Sequence, residues 1–275
     1  MKLEGGIGNR RDFDENFESS PLVSVITVVF NGAATLEDTI RSVLEQAYDN
    51  IEHIIIDGGS TDATVAILQK YDNSINYWVS EKDSGIYDAM NKGIQIASGE
   101  YICILNSDDF FEYSSAITDV VNQFKSYPES SLVFGDVVFV EPSNIKETIR
   151  YYNSRKFQPW KLRFGWMPPH TASFIKRSVY NQIGNYSLNY TIASDYEFFI
   201  RMLIVHKFSF SRINKVLVRM RAGGISTSGF RNSFLLNSEI VKACKNNGIY
   251  TNLFFVLVKI PFKILELFKK PKENF

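Results

Sequence analysis

Apolar and polar positions alternate with two different periods over residues 21–105. Four apolar runs rich in β-branched residues, LVSVITVVF, IEHIIID, INYWVSE and YICIL, predict strands. Between them, NGAATLEDTIRSVLEQA, TDATVAILQKY and IYDAMNKGIQIA space their apolar residues helically. In the first of these the positions are Leu36, Ile40, Val43, Leu44 and Ala47, with Thr35 as candidate N-cap. Repeated strand–helix alternation predicts an α/β fold: a mostly parallel central sheet flanked by helices. Ahead of it, residues 1–20 are Gly-rich, charged and poor in aliphatics, and are expected to form a disordered leader; they lack the apolar stretch of a signal peptide.

The second half is less periodic. SLVFGDVVFV predicts a strand that ETIRYY continues, SVYNQIG a short helix ending at Gly184, and ASDYEFFIRMLI a longer helix using Phe198, Met202 and Val205. KFQPWKLRFGWMPPHTASF mixes aromatic, proline and basic residues and reads as a cleft wall. KFSFSRINKVLVRMR predicts one or two strands, followed by a flexible GGISTSG loop. The last stretch has no apolar run near the roughly 20 residues a bilayer span needs. Its lysines, Lys259, Lys263, Lys269, Lys270 and Lys272, flank bulky apolar residues, a pattern for a helix lying in a membrane surface or packed on the domain.

Composition narrows the chemistry. The 275 residues carry 30 basic and 30 acidic side chains, so no global field favours nucleic acid. Two cysteines and three histidines without metal-type spacing argue against zinc. What remains is acidic. Asp57, Asp83 and the pair Asp108–Asp109 each follow a predicted strand, where open α/β sheets bind ligands. Any one of them alone reads as a turn or cap residue. Several carboxylates at one rim suit a hard cation, Mg²⁺ or Mn²⁺, held with a nucleotide. FNGAAT after the first strand is neither a P-loop nor a dinucleotide fingerprint.

The stretches SVITVVFNGAATLEDTIRSVLEQAYDNIEHIIIDGGSTDAT and SEKDSGIYDAMNKGIQIASGEYICILNSDD resemble family 2 inverting glycosyltransferases with the GT-A fold, of the type acting in bacterial O-antigen, capsule and colanic-acid assembly. The resemblance covers about residues 22–222. It implies a GT-A catalytic domain over 21–230, with a nucleotide-binding half (21–111) and an acceptor half (112–230). Outside the resemblance, residues 231–275 are expected to form C-terminal helices that associate with a membrane surface or pack on the domain. The resemblance further implies that Phe30, Asn31, Asp57, Asp83, Asn91 and Ser107 border the nucleotide. Asn106, Asp108 and Asp109 occupy the metal-binding DxD position, Asp195 is the catalytic base, and His170, Thr171 and Trp166 lie by the acceptor or the donor phosphates. Two positions depart from the pattern: Gly58 stands where a second acid is common, and Asn106 where the DxD motif begins with Asp.

The activity so implied is transfer from a nucleotide-diphosphate sugar, a UDP-sugar, to a hydroxyl of a lipid-linked saccharide. It would take place in the cytoplasm or on the inner face of the cytoplasmic membrane, without nucleic acid. The alternatives are a sugar nucleotidyltransferase, which would carry a Gly-rich basic motif after the first strand, and a GT-A-like protein that binds sugar nucleotides without turnover. Arg219 and Arg221, beside the GGIS loop, read as solvated strand-end charges or as phosphate contacts. Trp160 and Trp166 read as sugar-stacking or core residues.

Overall fold

The structure, a computed structural model, describes residues 2–8, 20–223 and 229–261. Strands β1 (Leu3–Gly5), β2 (Val23–Val29), β3 (Ile51–Asp57), β4 (Tyr77–Ser80) and β5 (Tyr101–Ile104) alternate from β2 onward with helices α1 (Leu36–Leu44), α2 (Thr64–Lys70) and α3 (Ile86–Ile96). The second half contributes β6 (Asp109–Phe111), α4 (Ala116–Ser126), β7 (Leu132–Glu141), β8 (Asn144–Tyr152), β9 (Ser173–Lys176), α5 (Arg177–Ile183) and α6 (Ser194–Ile200). After these come β10 (Phe210–Arg221), α7 (Gly229–Asn246) and α8 (Leu253–Leu257). One sheet runs β1-β4-β3-β2-β5-β9-β7-β10-β6, and β8 pairs with the second half of β7 on the edge whose first half pairs with β9.

The predicted parallel sheet is found at its centre, β4-β3-β2-β5. Every residue of β2 and β3 is buried, which is why both read as nearly unbroken apolar runs: helices cover both faces. Ile26, Ile54 and Ile104 face α3, α6 and α7, in a core with Met90, Phe198 and Ile240. Val25, Cys103 and Leu105 face the opposite layer, with Ile117, Val120 and Phe124 of α4. Beyond β5 the sheet is mixed: β9 pairs antiparallel with β5 and β7, β10 runs parallel to β7, and β6 antiparallel to β10.

Several expectations need correction. The leader is not wholly disordered. Leu3–Gly5 adds an antiparallel strand to β4, and Gly6 donates to Asp72 Oδ1 at 2.8 Å. Glycine is what permits this approach, since a Cβ on Gly5 would sit 2.3 Å from Asp72 Oδ1 and 2.8 Å from Trp78 Nε1. Residues 9–19 of the leader lie outside the described residues. ETIRYY does not prolong β7; the chain turns at Pro142–Ser143 and returns as the antiparallel strand β8. Thr35 is the N-cap residue of α1, but its hydroxyl makes no cap bond and lies 3.5 Å from Gly32 O instead. Val205, expected on the apolar face of its helix, is exposed: α6 continues into a wider π-type turn, Arg201–Val205, which shifts the face. Residues 224–228 of the GGISTSG loop, and Lys263, Lys269, Lys270 and Lys272, lie outside the described residues. Among the described residues no helix is long and apolar enough to cross a membrane.

Candidate active site

The carboxyl ends of β2, β3, β4 and β5 form one rim, and loops leaving them are tied together by side chains. At the end of β2, Phe30 is 65% exposed and Asn31 has a left-handed φ of 51°, a conformation asparagine tolerates. The Asn31 amide donates to Ser60 Oγ (2.7 Å), and its side-chain oxygen accepts from Thr61 N (2.8 Å), which fastens the β3–α2 loop to β2. Ser107 lies beneath the next turn, its Oγ 3.2 Å from where a Cβ on Gly32 would be.

Asp57 is turned inward. It is 0% exposed, and its carboxylate accepts from Ser60 Oγ, Ser60 N (3.0 Å) and Ser80 Oγ (2.6 Å). These bonds hold the rim loops together, and they occupy the carboxylate for which the resemblance implies a nucleoside contact. Asp83 faces the rim: one oxygen caps Gly85 N at 2.9 Å, and the other lies 2.5 Å from where a Cβ on Gly58 would stand. A side chain at position 58 would collide with that carboxylate. The missing second acid and the position of Asp83 are therefore one feature. Asn91 is also turned away, since its amide is used in both directions by the Tyr186 backbone (2.8 and 3.0 Å).

Asp108 and Asp109 are held from behind. The Arg221 guanidinium donates to Asp108 O at 2.9 Å, pairs with Asp38, and stacks 5.1 Å over the Phe110 ring. Thr39 Oγ1 donates to Asp109 O at 2.7 Å. Arg221 is thus buried structural charge, neither solvated nor a phosphate contact, and Arg219 is paired with Glu112 by two hydrogen bonds. Burial pushes the Asp108 carboxyl up, against the pull of Arg221 and His170. Burial, and then the neighbouring Asp108 charge, pushes Asp109 well above the carboxylate range.

Asn106 joins this acid pair to the opposite wall. Its Nδ2 lies 3.3 Å from Asp109 Oδ2 and 3.3 Å from His170 Nε2. With Nε2 accepting, the ring proton sits on Nδ1, which faces Asp195 Oδ2 at 3.5 Å. Asp195 opens α6, and its other oxygen accepts from Tyr196 N (2.8 Å) and Tyr87 OH (3.1 Å). The single phenolic proton of Tyr87 is shared with Ile192 O, the nearer acceptor at 2.5 Å. Burial, and then the Asp195 charge, raises the Tyr87 phenol, so it remains a donor. Thr171 is fully buried and its hydroxyl has no hydrogen-bond partner. Trp166 is half-buried, with its amide on Lys161 O at 3.3 Å, and Trp160 is 58% exposed, so neither is core.

For a cation, the donors present are oxygens. Asn106 Oδ1 is buried without a hydrogen-bond partner, on a side chain whose Nδ2 lies 3.3 Å from Asp109 Oδ2. Among the described residues no group of three or more His, Cys, Asp or Glu could enclose an ion. The set fits a hard cation that takes its remaining ligands from water and phosphate, as Mg²⁺ commonly does.

Two residues of the site were not legible in motifs. Tyr87 orients Asp195. Glu239 on α7 accepts from the amides of Thr191 (2.8 Å), Ile192 (2.9 Å) and Ala193 (3.0 Å), fixing the loop that delivers Asp195. The available signal was isolation: Glu239 is the only acid between Glu197 and Glu266, as befits a carboxylate committed to an internal partner.

Comparison with known proteins identifies the family and the fold. Residues 24–184 match the model of glycosyl transferase family 2. An uncharacterised glycosyltransferase of Mycobacterium tuberculosis is 40% identical over 190 residues, 68% of this chain and 71% of that protein. A PGL/p-HBAD biosynthesis glycosyltransferase of Mycobacterium bovis is 29% identical over 186 residues, 66% of this chain and 70% of its own. Among solved structures, residues 1–349 of S. aureus TarS in complex with UDP-GlcNAc superpose with a TM-score of 0.62 at 16% identity, covering 82% of this chain and 67% of that one. The mannosyltransferase PcManGT of Pyrobaculum calidifontis, in complex with GDP-Man and Mn²⁺, gives 0.58 at 16% identity, covering 91% and 74%. A mixed sheet with the GT-A arrangement, a family match over more than half the chain and a rim of this composition lead to one conclusion: the protein is a glycosyltransferase belonging to glycosyl transferase family 2.

Proposed function

We propose that the chain transfers a sugar from a nucleoside-diphosphate sugar, a UDP-sugar, to a hydroxyl of a lipid-linked saccharide. The transfer inverts the anomeric centre, at the inner face of the cytoplasmic membrane, in cell-surface polysaccharide assembly. The observation that carries the reading is the mounting of Asp195. One oxygen is fixed by Tyr87 and Tyr196, and the other faces His170, across the cleft from Asn106 and Asp108. Phe30, Asn31, Ser107 and Asp83 border the nucleoside, with Asp83 as its acidic contact. Asp195 Oδ2 takes the proton of the acceptor hydroxyl as that oxygen attacks the anomeric carbon from the face opposite the diphosphate. His170 Nδ1–H orients that oxygen, and Trp166 borders the acceptor.

Asn106 Oδ1 and Asp108 would hold Mg²⁺ or Mn²⁺, with Asp109 behind them. When bound, the cation supplies Lewis-acid stabilisation to the departing diphosphate. Structures of fold neighbours with UDP-GlcNAc, UDP and GDP-Man with Mn²⁺ support a nucleotide-sugar donor and a cation. A relative named for PGL/p-HBAD biosynthesis supports an acceptor carried on lipid.

Asp195→Asn tests the assignment. It keeps the Tyr87 and Tyr196 contacts but removes the base. Sugar transfer, read as nucleoside diphosphate release in the presence of acceptor, falls by about 10²–10⁴. Donor binding, read by thermal shift with UDP-sugar and Mn²⁺, stays within about twofold, because the substitution touches no donor contact. Undiminished transfer would remove Asp195 from this role.

A further inference from the structure

An exposed row of aromatic rings stands where the acceptor wall meets the C-terminal helices. Trp160 packs edge-on to Phe164 (5.9 Å), Phe164 stacks on Phe255 (5.3 Å), and Phe255 touches Tyr250 (6.0 Å) and Phe254 (6.5 Å). Trp160 is 58% exposed, Tyr250 69% and Phe254 74%, with Leu253, Leu257 and Ile260 also exposed beside them. The row is built in. Arg163 donates to Tyr250 O at 3.2 Å, Thr251 Oγ1 donates to Arg163 O at 2.6 Å, and Lys259 packs over Gly165. A contiguous apolar face of this kind on a folded domain marks an interaction surface.

The charge pattern selects the partner. Both segments that build the row come from stretches without acids. Between Glu147 and Asp195 the only charges are Arg150, Arg155, Lys156, Lys161, Arg163, Lys176 and Arg177; between Glu239 and Glu266 they are Lys242, Lys245, Lys259 and Lys263. Lys161 Nζ lies 5.7 Å over the Trp160 ring, and its ammonium reaches Lys156 O. The whole chain has zero formal charge. Of these cations Lys259 is buried and Lys176 packs on Phe124 and Pro128 of the opposite layer, so those standing beside the rings are Lys156, Lys161 and Arg163. Trp, Tyr and Phe beside Lys and Arg is the composition of surfaces that settle at a bilayer's headgroup level, where rings enter the acyl boundary and cations meet anionic lipid.

We propose that the Trp160–Phe164–Phe255–Tyr250–Phe254 row docks on an anionic lipid bilayer. Docking there sets the acceptor end of the cleft against the headgroups, because the turn carrying Trp160 and Phe164 runs within six residues into His170. This deepens, and rests on, the reading of a lipid-linked acceptor.

The test is sedimentation of the full chain with vesicles of phosphatidylcholine alone, or of phosphatidylcholine with phosphatidylglycerol. The wild type sediments with the anionic vesicles, and high salt weakens this by screening the cations. Tyr250→Ser with Phe254→Ser weakens sedimentation about tenfold, and Phe254→Ser alone weakens it measurably if the double variant does not fold. Phe234→Ser, which removes a ring 67% exposed on α7 but outside the row, leaves it unchanged. No sedimentation of the wild type, indifference to anionic lipid, or sedimentation that ignores Tyr250 and Phe254 overturns the docking surface. The last result would transfer the contact to residues 262–275. Metal-dependent release of nucleoside diphosphate without vesicles is read in parallel. Its absence from a chain that still binds vesicles through the row would sink the donor reading and leave the docking surface standing.

Discussion

Asn106 belongs to two hydrogen-bonded systems, the acid pair on one side and the His170–Asp195 pair on the other. An amide suits both because it can donate twice and still leave a carbonyl oxygen for a cation. Asn106→Asp removes both donors and sets a third carboxylate against Asp108 and Asp109. Without metal, the variant melts lower than wild type, by about 1–3 kcal/mol of lost stability. With Mn²⁺ it gains more than wild type does, because the added charge strengthens the ion's site. Thermal melts with and without Mn²⁺ check this, and equal metal-induced shifts would count against the cation's placement. A second residue-scale prediction concerns His53 on β3, which is 1% exposed with Nε2 3.0 Å from Thr27 Oγ1. Burial pushes its pKa down to about 3. The unfolded chain therefore binds a proton that the native state refuses. His53 contributes stability above pH 6.5 that is lost as pH falls toward 3, at up to about 1.4 kcal/mol per unit. Denaturation followed from pH 7 to pH 4 should show a shallower decline for His53→Gln than for wild type.

At the scale of elements, α7 carries a function its sequence hardly advertises. Glu239 satisfies three successive amides just ahead of α6, a cap supplied from another helix. Glu239→Gln offers one neutral acceptor in place of a carboxylate. The loop then loosens, and displacement of Asp195 lowers kcat about tenfold to a hundredfold while donor KM holds. A loss of melting temperature with kcat intact would reduce Glu239 to a purely structural role. Elements of the first half were legible because their periods are clean. IEHIIID coincides with β3, and IYDAMNKGIQIA contains α3. In ETIRYY the strand character was legible but not the reversal before it, since pairing partners are not encoded locally. Helix α4 lies in a stretch whose AITDVVNQF pattern is helical, yet it drew no expectation because no motif pointed there.

Across the whole molecule, the chemistry was legible as residue types at strand ends but not as orientations. Asp57, Asp83 and Asp108 sit at the strand ends where the alternation puts them, and Asp195, expected from the resemblance alone, meets them through His170 and Asn106. Whether a carboxylate faces the rim or the interior is decided by neighbours distant in sequence, such as Ser80 for Asp57. Asn91 was misread for the same reason, because Tyr186 is 95 residues away. Strand β1 was hidden by its glycines, which read as disorder until Trp78 and Asp72 are seen to leave no room for side chains.

That short strand is also a guard rail. Leu3, Glu4 and Gly5 occupy the outer backbone groups of Ser80, Val79 and Trp78. A version trimmed to begin at Ser20 would bare that border of the sheet as a template for strand addition by a second molecule. Light scattering should find the trimmed protein self-associating as its concentration rises, while the intact chain at equal concentration stays dispersed. A monodisperse trimmed protein would show that the border is protected by other means. Anyone shortening the amino terminus to favour crystals would be removing the piece that keeps neighbours apart.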